Sequence, residues 1–146
     1  MFEGPIKVLV VEGDPPCTGM IRNLLQEENI SGFEIDSVND VHSAIEQLSN
    51  NGIDVLLLNC EQVGPDDIYN IDELRSNAPR IPVIILTGKR NDQVINAVRK
   101  GAKDYLLRGE LTAGQLTRTL ENAAARNILD MEVLDAKEDG ELYLDL

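Results

Sequence analysis

Asp54-Val55-Leu56-Leu57-Leu58-Asn59, residues 54–59, is an apolar run that opens on an acid and closes on an amide. Four consecutive branched apolar side chains leave no polar face, so the segment reads as a strand covered on both sides, the pattern of a parallel sheet. Two further runs share that pattern, Ile6-Lys7-Val8-Leu9-Val10-Val11 before it and Ile81-Pro82-Val83-Ile84-Ile85-Leu86 after it. Phe33-Glu34-Ile35-Asp36-Ser37-Val38 alternates as a shorter strand would, and Lys103-Asp104-Tyr105-Leu106-Leu107 is a fifth candidate.

Helical periods fill the intervals. Met20, Ile21, Leu24 and Leu25 form an apolar stripe after Pro15-Pro16, and Val41, Ala44, Ile45 and Leu48 form another before Asn50-Asn51-Gly52. A helix over about 67–76 carries Ile68, Ile71 and Leu74, one over about 91–99 carries Val94, Ile95 and Val98, and Leu116, Leu120 and Ala124 line the last. Five strands alternating with helices predict a doubly wound α/β fold, a three-layer sandwich around a parallel sheet in the flavodoxin-like order 2-1-3-4-5. In such sheets ligands bind beyond the carboxyl ends of the strands. Those ends deliver Glu12-Gly13-Asp14, Asn59-Cys60, Thr87-Gly88 and Arg108 to one region.

Composition narrows the function classes. A chain of 146 residues suits one core, since domains commonly run to about 100–200 residues. The 13 Lys and Arg against 26 Asp and Glu leave a formal charge of -13, which argues against nucleic acid and anionic membrane as direct partners. Cys17 and Cys60 fit no thiolate metal motif or disulfide framework. No apolar stretch approaches the roughly 20 residues of a membrane span, and no signal-peptide pattern is present, so a cytoplasmic domain is expected. No Gly-rich dinucleotide fingerprint or Walker sequence follows the first strand, and no nucleophile–base pair stands out, so an enzyme is not expected. His42, the one histidine, follows Asn39-Asp40 at a helix start and reads as a solvent-facing residue.

The stretches Val8-Leu9-Val10-Val11-Glu12-Gly13-Asp14-Pro15, Pro82-Val83-Ile84-Ile85-Leu86-Thr87-Gly88 and Gly101-Ala102-Lys103-Asp104-Tyr105-Leu106-Leu107-Arg108 resemble the response-regulator receiver (CheY-like) family, over about residues 7–126. The resemblance implies a site of two neighbouring acids after the first strand, a phosphoacceptor aspartate, a Thr or Ser, a switch aromatic and a lysine. These fall on Glu12 and Gly13, Asn59, Thr87, Tyr105 and Arg108. The second acid, the acceptor and the lysine are therefore all altered. The loop Glu61-Gln62-Val63-Gly64-Pro65 departs from the family pattern too, with Asp67 where a glycine is usual.

Each alteration has a chemical meaning. An aspartyl phosphate needs a carboxylate nucleophile, and the Asn59 amide is a poor one. Magnesium takes hard oxygen ligands, commonly one or two carboxylates, so any magnesium affinity is expected to be weak and to rest on Glu12, Asp14 and Asn59. Otherwise no cofactor is expected. Arg108 replaces a compact ammonium by a rigid five-donor fork, and a bridge from Glu12 to the Asn59 carbonyl oxygen is expected of it. Thr87 is expected to bond Asn59 or nearby backbone.

The expected function is that of an atypical receiver, a pseudo-receiver acting in two-component signal transduction through protein–protein interaction without aspartyl phosphorylation. The alternative is a phosphorelay receiver that uses an unusual acceptor or an altered metal site. Partners are expected to be a sensor kinase or another signalling protein, together with a weak homodimer. Its surface would comprise Val94, Val98, Tyr105, Leu116 and Leu120, extended by Ile128 and Met131. Residues 1–129 are assigned to the receiver-like domain and 130–146 to an acidic helix extension and tail, with seven acids against Lys137 alone. Leu142, Leu144 and Leu146 alternate in that tail as a docking segment would.

Overall fold

A computed structural model describes residues 5–13, 16–27, 32–48 and 52–138, with side chains described as far as Ala125. The order is β1 (Ile6–Val11), α1 (Thr18–Glu27), β2 (Phe33–Val38), α2 (Val41–Leu48), β3 (Val55–Cys60), α3 (Pro65–Asn77), β4 (Val83–Thr87), α4 (Asp92–Lys100), β5 (Asp104–Leu107), a 3-10 turn (Arg108–Glu110) and α5 (Ala113–Glu138). All strand pairs are parallel and the sheet order is β2-β1-β3-β4-β5, as the sequence pattern predicts. The expected bounds shift slightly. β3 runs on through Asn59 and Cys60, α3 begins at Pro65, and β4 starts only after Pro82, whose missing N–H cannot join the ladder.

Strand alternation divides the core into two layers. Val8, Val10, Val55 and Leu57 pack with Ile21 and Leu25 of α1 and Leu116 and Leu120 of α5. Leu9, Val11, Leu56 and Leu58 pack with Ala44 of α2, Ile71 and Leu74 of α3, and Val94 and Ala97 of α4. β3 is thus apolar through Leu58 because both of its faces are covered, whereas β2 at the edge keeps Glu34 and Asp36 exposed.

This layering corrects the surface expected for self-association. Val94, Leu116 and Leu120 are each 0% exposed and belong to the core. Periodicity marks an apolar stripe but does not say whether the stripe meets the sheet or a partner. The half-buried Val98 and Tyr105 remain near the surface, and the side chains of Ile128 and Met131 lie outside the described residues. Among the described residues the exposed large apolar side chains are Tyr69 of α3 and Ile95 of α4. The α5 backbone continues unbroken past residue 129 to Glu138, while residues 139–146, with Leu142, Leu144 and Leu146, lie outside the described residues.

Register brings the site together. Val11 is aligned with Leu58, Cys60 with Thr87, and Thr87 with Leu107, so the residues that follow β1 and β5 share one edge of the sheet with Asn59 and Thr87. Leu57, 0% exposed at the centre of β3, tests this core. Leu57→Ala is expected to cost about 2–5 kcal/mol, read as a lower urea midpoint at unchanged m-value.

Candidate functional site

β3 presents Asn59 at the carboxyl edge, 4% exposed, beside the fully buried Thr87 at the end of β4. Arg108 opens the 3-10 turn directly after β5 and reaches across to them. One guanidinium nitrogen, Nη2, donates to Asn59 Oδ1 at 2.7 Å and lies 3.4 Å from the Cys60 carbonyl oxygen. The other, Nη1, donates to Glu61 Oε2 at 2.8 Å. The expected bridge from Arg108 therefore forms, but its second end is Glu61 and not Glu12.

Glu12 is occupied elsewhere. Its Oε1 accepts the backbone N–H groups of Cys17 at 3.1 Å and Thr18 at 3.3 Å. A helix start leaves such donors without intrahelical partners and carries partial positive charge, so a carboxylate there is held by both effects. The acid expected to ligate a cation or to pair with Arg108 instead closes the start of α1.

Glu61 is the residue that sequence reasoning missed. Its carbonyl oxygen accepts from Gly88 N at 3.0 Å and from the Thr87 hydroxyl at 3.2 Å, while its carboxylate holds Arg108. The β3–α3 loop is thereby tied to β4 and to the turn after β5. Thr87 accordingly takes the backbone option expected of it. A sequence signal existed: a two-armed guanidinium calls for two acceptors, and Glu61 stands two residues beyond Asn59. Asp67, noted only as a departure from a glycine, accepts the Gly64 N–H at 2.8 Å and fixes the same loop at the start of α3.

Gly13 is more than a missing ligand. A Cβ built there would lie 2.5 Å from the Asn59 carbonyl oxygen, closer than side-chain carbons approach backbone oxygens. The β1–α1 loop rests against β3, and replacing Gly13 by any other residue requires it to move. Asp14, the acid expected to compensate, lies outside the described residues.

These contacts decide the fit of the magnesium ion that the resemblance implies. Asn59 Oδ1 faces a guanidinium, Glu12 Oε1 serves α1, and residue 13 has no side chain. Among the described residues no group of three or more His, Cys, Asp or Glu is placed to hold a metal. As placed, the described residues do not form a set that fits that ion. The adjoining open cleft, about 490 Å³, is lined by Glu12, Gly13, Asp40, Asn59, Glu61 and Asp67 among others.

Tyr105 sits half-buried against the α2–α4 layer, so it does pack, and its ring also lies under Arg90, whose guanidinium carbon is 5.5 Å from the ring centroid. Arg90 Nε donates to the Tyr105 hydroxyl at 2.8 Å, and Arg90 Nη2 contacts it too. His42 is exposed and lies 3.2 Å from Glu46, one turn on. Burial raises both thiols from the ordinary 9.0 to about 12; the Glu12 carboxylate adds to this at Cys17 and the Asp67 carboxylate at Cys60, against the opposing charge of Arg108. No helix among the described residues is long and apolar enough to cross a membrane.

Comparison with known proteins completes the picture. The family described as "Response regulator receiver domain" matches residues 8–121. The transcriptional regulatory protein ZraR of Escherichia coli O157:H7 is 30% identical over 134 residues, covering 90% of this chain and 30% of that protein. NtrX from Brucella abortus superposes with a TM-score of 0.78 at 25% identity, over 97% of this chain and 31% of that one. A response regulator receiver domain protein from Clostridium thermocellum gives 0.66 at 27% identity, over 85% of this chain and 98% of that one. The chain thus spans under a third of the ZraR proteins it matches.

Two outcomes test this geometry. Gly13→Ala is expected to lose about 1–3 kcal/mol in urea unfolding, whereas Gly109→Ala, where a Cβ meets nothing within 4 Å, should cost far less. Because both thiol values are raised on folding, their contribution to stability is complete below 9.0 and is lost as pH rises toward 12. The urea midpoint should therefore fall between about pH 9 and about pH 10.5, and fall less in a Cys17→Ala, Cys60→Ala variant.

Proposed function

The chain belongs to the response regulator receiver domain family, and on that footing we propose that it is a pseudo-receiver, a two-component signalling module that acts by protein association without aspartyl phosphorylation. The carrying observation is the Arg108 fork, 2.7 Å from Asn59 Oδ1 and 2.8 Å from Glu61 Oε2. Phosphorylation would need a carboxylate nucleophile and a divalent cation beside it. The acceptor position instead holds an amide, and the nearest cation is part of the protein.

In this reading Arg108 supplies a fixed positive charge, so the pocket stays in one arrangement without being charged and discharged. The ion pair with Glu61, whose side chain is 52% exposed, contributes only about 0.2–1 kcal/mol. The bond to Asn59, 4% exposed, matters more, because a charged donor to a largely buried acceptor makes a stronger hydrogen bond than an exposed ion pair. Thr87 and Gly88 then hold the Glu61 backbone, which fixes the β3–α3 loop relative to β4.

The module is proposed to be non-enzymatic and cytoplasmic, to bind no magnesium usefully, and to meet a sensor kinase or another signalling protein. Ile95 and Tyr69 are the exposed apolar anchors available for such contacts.

Acetyl phosphate with magnesium is the direct test. Intact mass should show no phosphoryl adduct on the protein, and Asn59→Asp alone should remain unmodified, because the new carboxylate would pair with Arg108 and still lack a metal partner at residue 13. A stable adduct on the unaltered chain, mapped to Glu12, Asp14 or Thr87, would instead establish a phosphorelay receiver with an unusual acceptor.

A further inference from the structure

β2 closes the sheet on one side, with β1 as its neighbour in the strand order. Ile6 N donates to the Gly32 carbonyl at 2.7 Å and Glu12 N to the Val38 carbonyl at 2.8 Å, so the backbone of residues 32, 34, 36 and 38 faces β1. That of Phe33, Ile35 and Ser37 faces outward. No hydrogen bond among the described residues takes the N–H groups of these three. The Ile35 carbonyl accepts from Arg22 Nη2 of α1 at 2.8 Å, a separate sign of the outward direction. A row of open donors and acceptors along a strand edge is what one more strand pairs with.

The two faces of this edge differ in chemistry. On the α1 side Phe33 and Ile35 are half-buried and, with Arg22, Leu25 and Gln26, line an open groove of about 270 Å³. On the opposite side Glu34 and Asp36 are exposed, and neither forms an ion pair among the described residues. Lys7 of β1 is aligned with Glu34 but has Asp54, at the start of β3, on its other side, so acids prevail on this face. The side chains of an added strand would alternate in the same way, one set over the groove and the other beside the two acids.

We propose that β2 is a docking edge for an extended segment of a partner protein in which apolar residues alternate with lysine or arginine, the segment joining the five-stranded sheet as a sixth strand. Backbone pairing with Phe33, Ile35 and Ser37 attaches it, its apolar residues lie over Phe33 and Ile35, and its cations meet Glu34 and Asp36. Arg22 need not leave, because a carbonyl oxygen has two lone pairs and accepts a second N–H beside the first. The same pattern disfavours a second copy as the occupant. Two β2 strands paired antiparallel about Ile35 would set Glu34 of each copy against Asp36 of the other, and like charges directly opposite repel. Neither Asn59, Glu61 nor Arg108 takes part, so the docking holds whether or not the pocket is phosphorylated.

Hydrogen exchange of single amides, followed by NMR on the full chain, tests the proposal with the end-blocked synthetic peptide Thr-Ile-Lys-Val-Lys-Ile-Thr. At saturation it should slow exchange at Phe33, Ile35 and Ser37 by about tenfold or more, and leave Glu34, Asp36 and the central Leu57 little changed. That alternation is a mark of strand pairing that charge attraction alone does not produce. The same peptide N-methylated at every residue should give no protection. Glu34→Lys with Asp36→Lys, two exposed positions, should weaken binding by about tenfold and admit Thr-Ile-Glu-Val-Glu-Ile-Thr in its place. Absence of slowed exchange at Phe33, Ile35 and Ser37 would overturn the proposal, as would equal binding of the N-methylated peptide. Slowing at these amides that grows with protein concentration and needs no peptide would overturn it too, by identifying a second copy as the occupant.

Discussion

The Arg108 guanidinium lies across the carboxyl edge of the sheet, joining Asn59 at the end of β3 to Glu61 in the loop beyond it. Everything at that edge is arranged around this cation. Asn59 offers it a neutral oxygen, Glu61 offers a charged one, and the Glu61 backbone in turn receives Thr87 and Gly88 from β4 and the loop after it. Three strand ends are therefore linked through one fork. A lysine could not span the same pair in the same way, because its ammonium is a single point and its donors do not lie in a plane.

The arrangement has a structural cost that shows in the same residue. Arg108 Nε is buried without a hydrogen-bond partner, so the fork gains three acceptors while one donor is left unmet. Gly13 and Glu12 belong to the same adjustment. With no side chain at residue 13, the β1–α1 loop settles against the Asn59 carbonyl, and Glu12 turns its carboxylate to the start of α1. Burial then keeps Cys17 and Cys60, on either side of this edge, protonated across the neutral range.

Charge is distributed as unevenly as contacts. Among the described residues Arg108 pairs with Glu61 at the sheet edge, and His42 lies 3.2 Å from Glu46 on α2. A large acidic surface favours solubility and selects against anionic partners. Against that background Arg99, Lys100 and Lys103, at and just after the end of α4, are the exception, and that helix is fastened at both ends by Asn91 and Arg75.

The fold was legible from hydrophobic pattern because its determinants are local: runs such as 54–58 can be satisfied only between two helical layers, and the glycines, prolines and asparagines between them mark the turns. The place of Asn59 at the carboxyl edge of the sheet was equally legible, since the strand order fixes where the end of β3 lies. Partner choice was not. Arg108 meets Glu61 because the β3–α3 loop folds over Gly88, and Glu12 is withdrawn by the first N–H groups of α1, neither of which is encoded in spacing along the chain. Val94, Leu116 and Leu120 carry the same point for surfaces: their period announces an apolar face, but only the packing of α4 and α5 on the sheet decides that the face is core and that Ile95 is what remains outside. Sequence determines which side chains need burial and which chemistry an edge can hold; the tertiary structure decides which of several equally suitable neighbours each one meets, because that depends on distances between segments far apart in the chain.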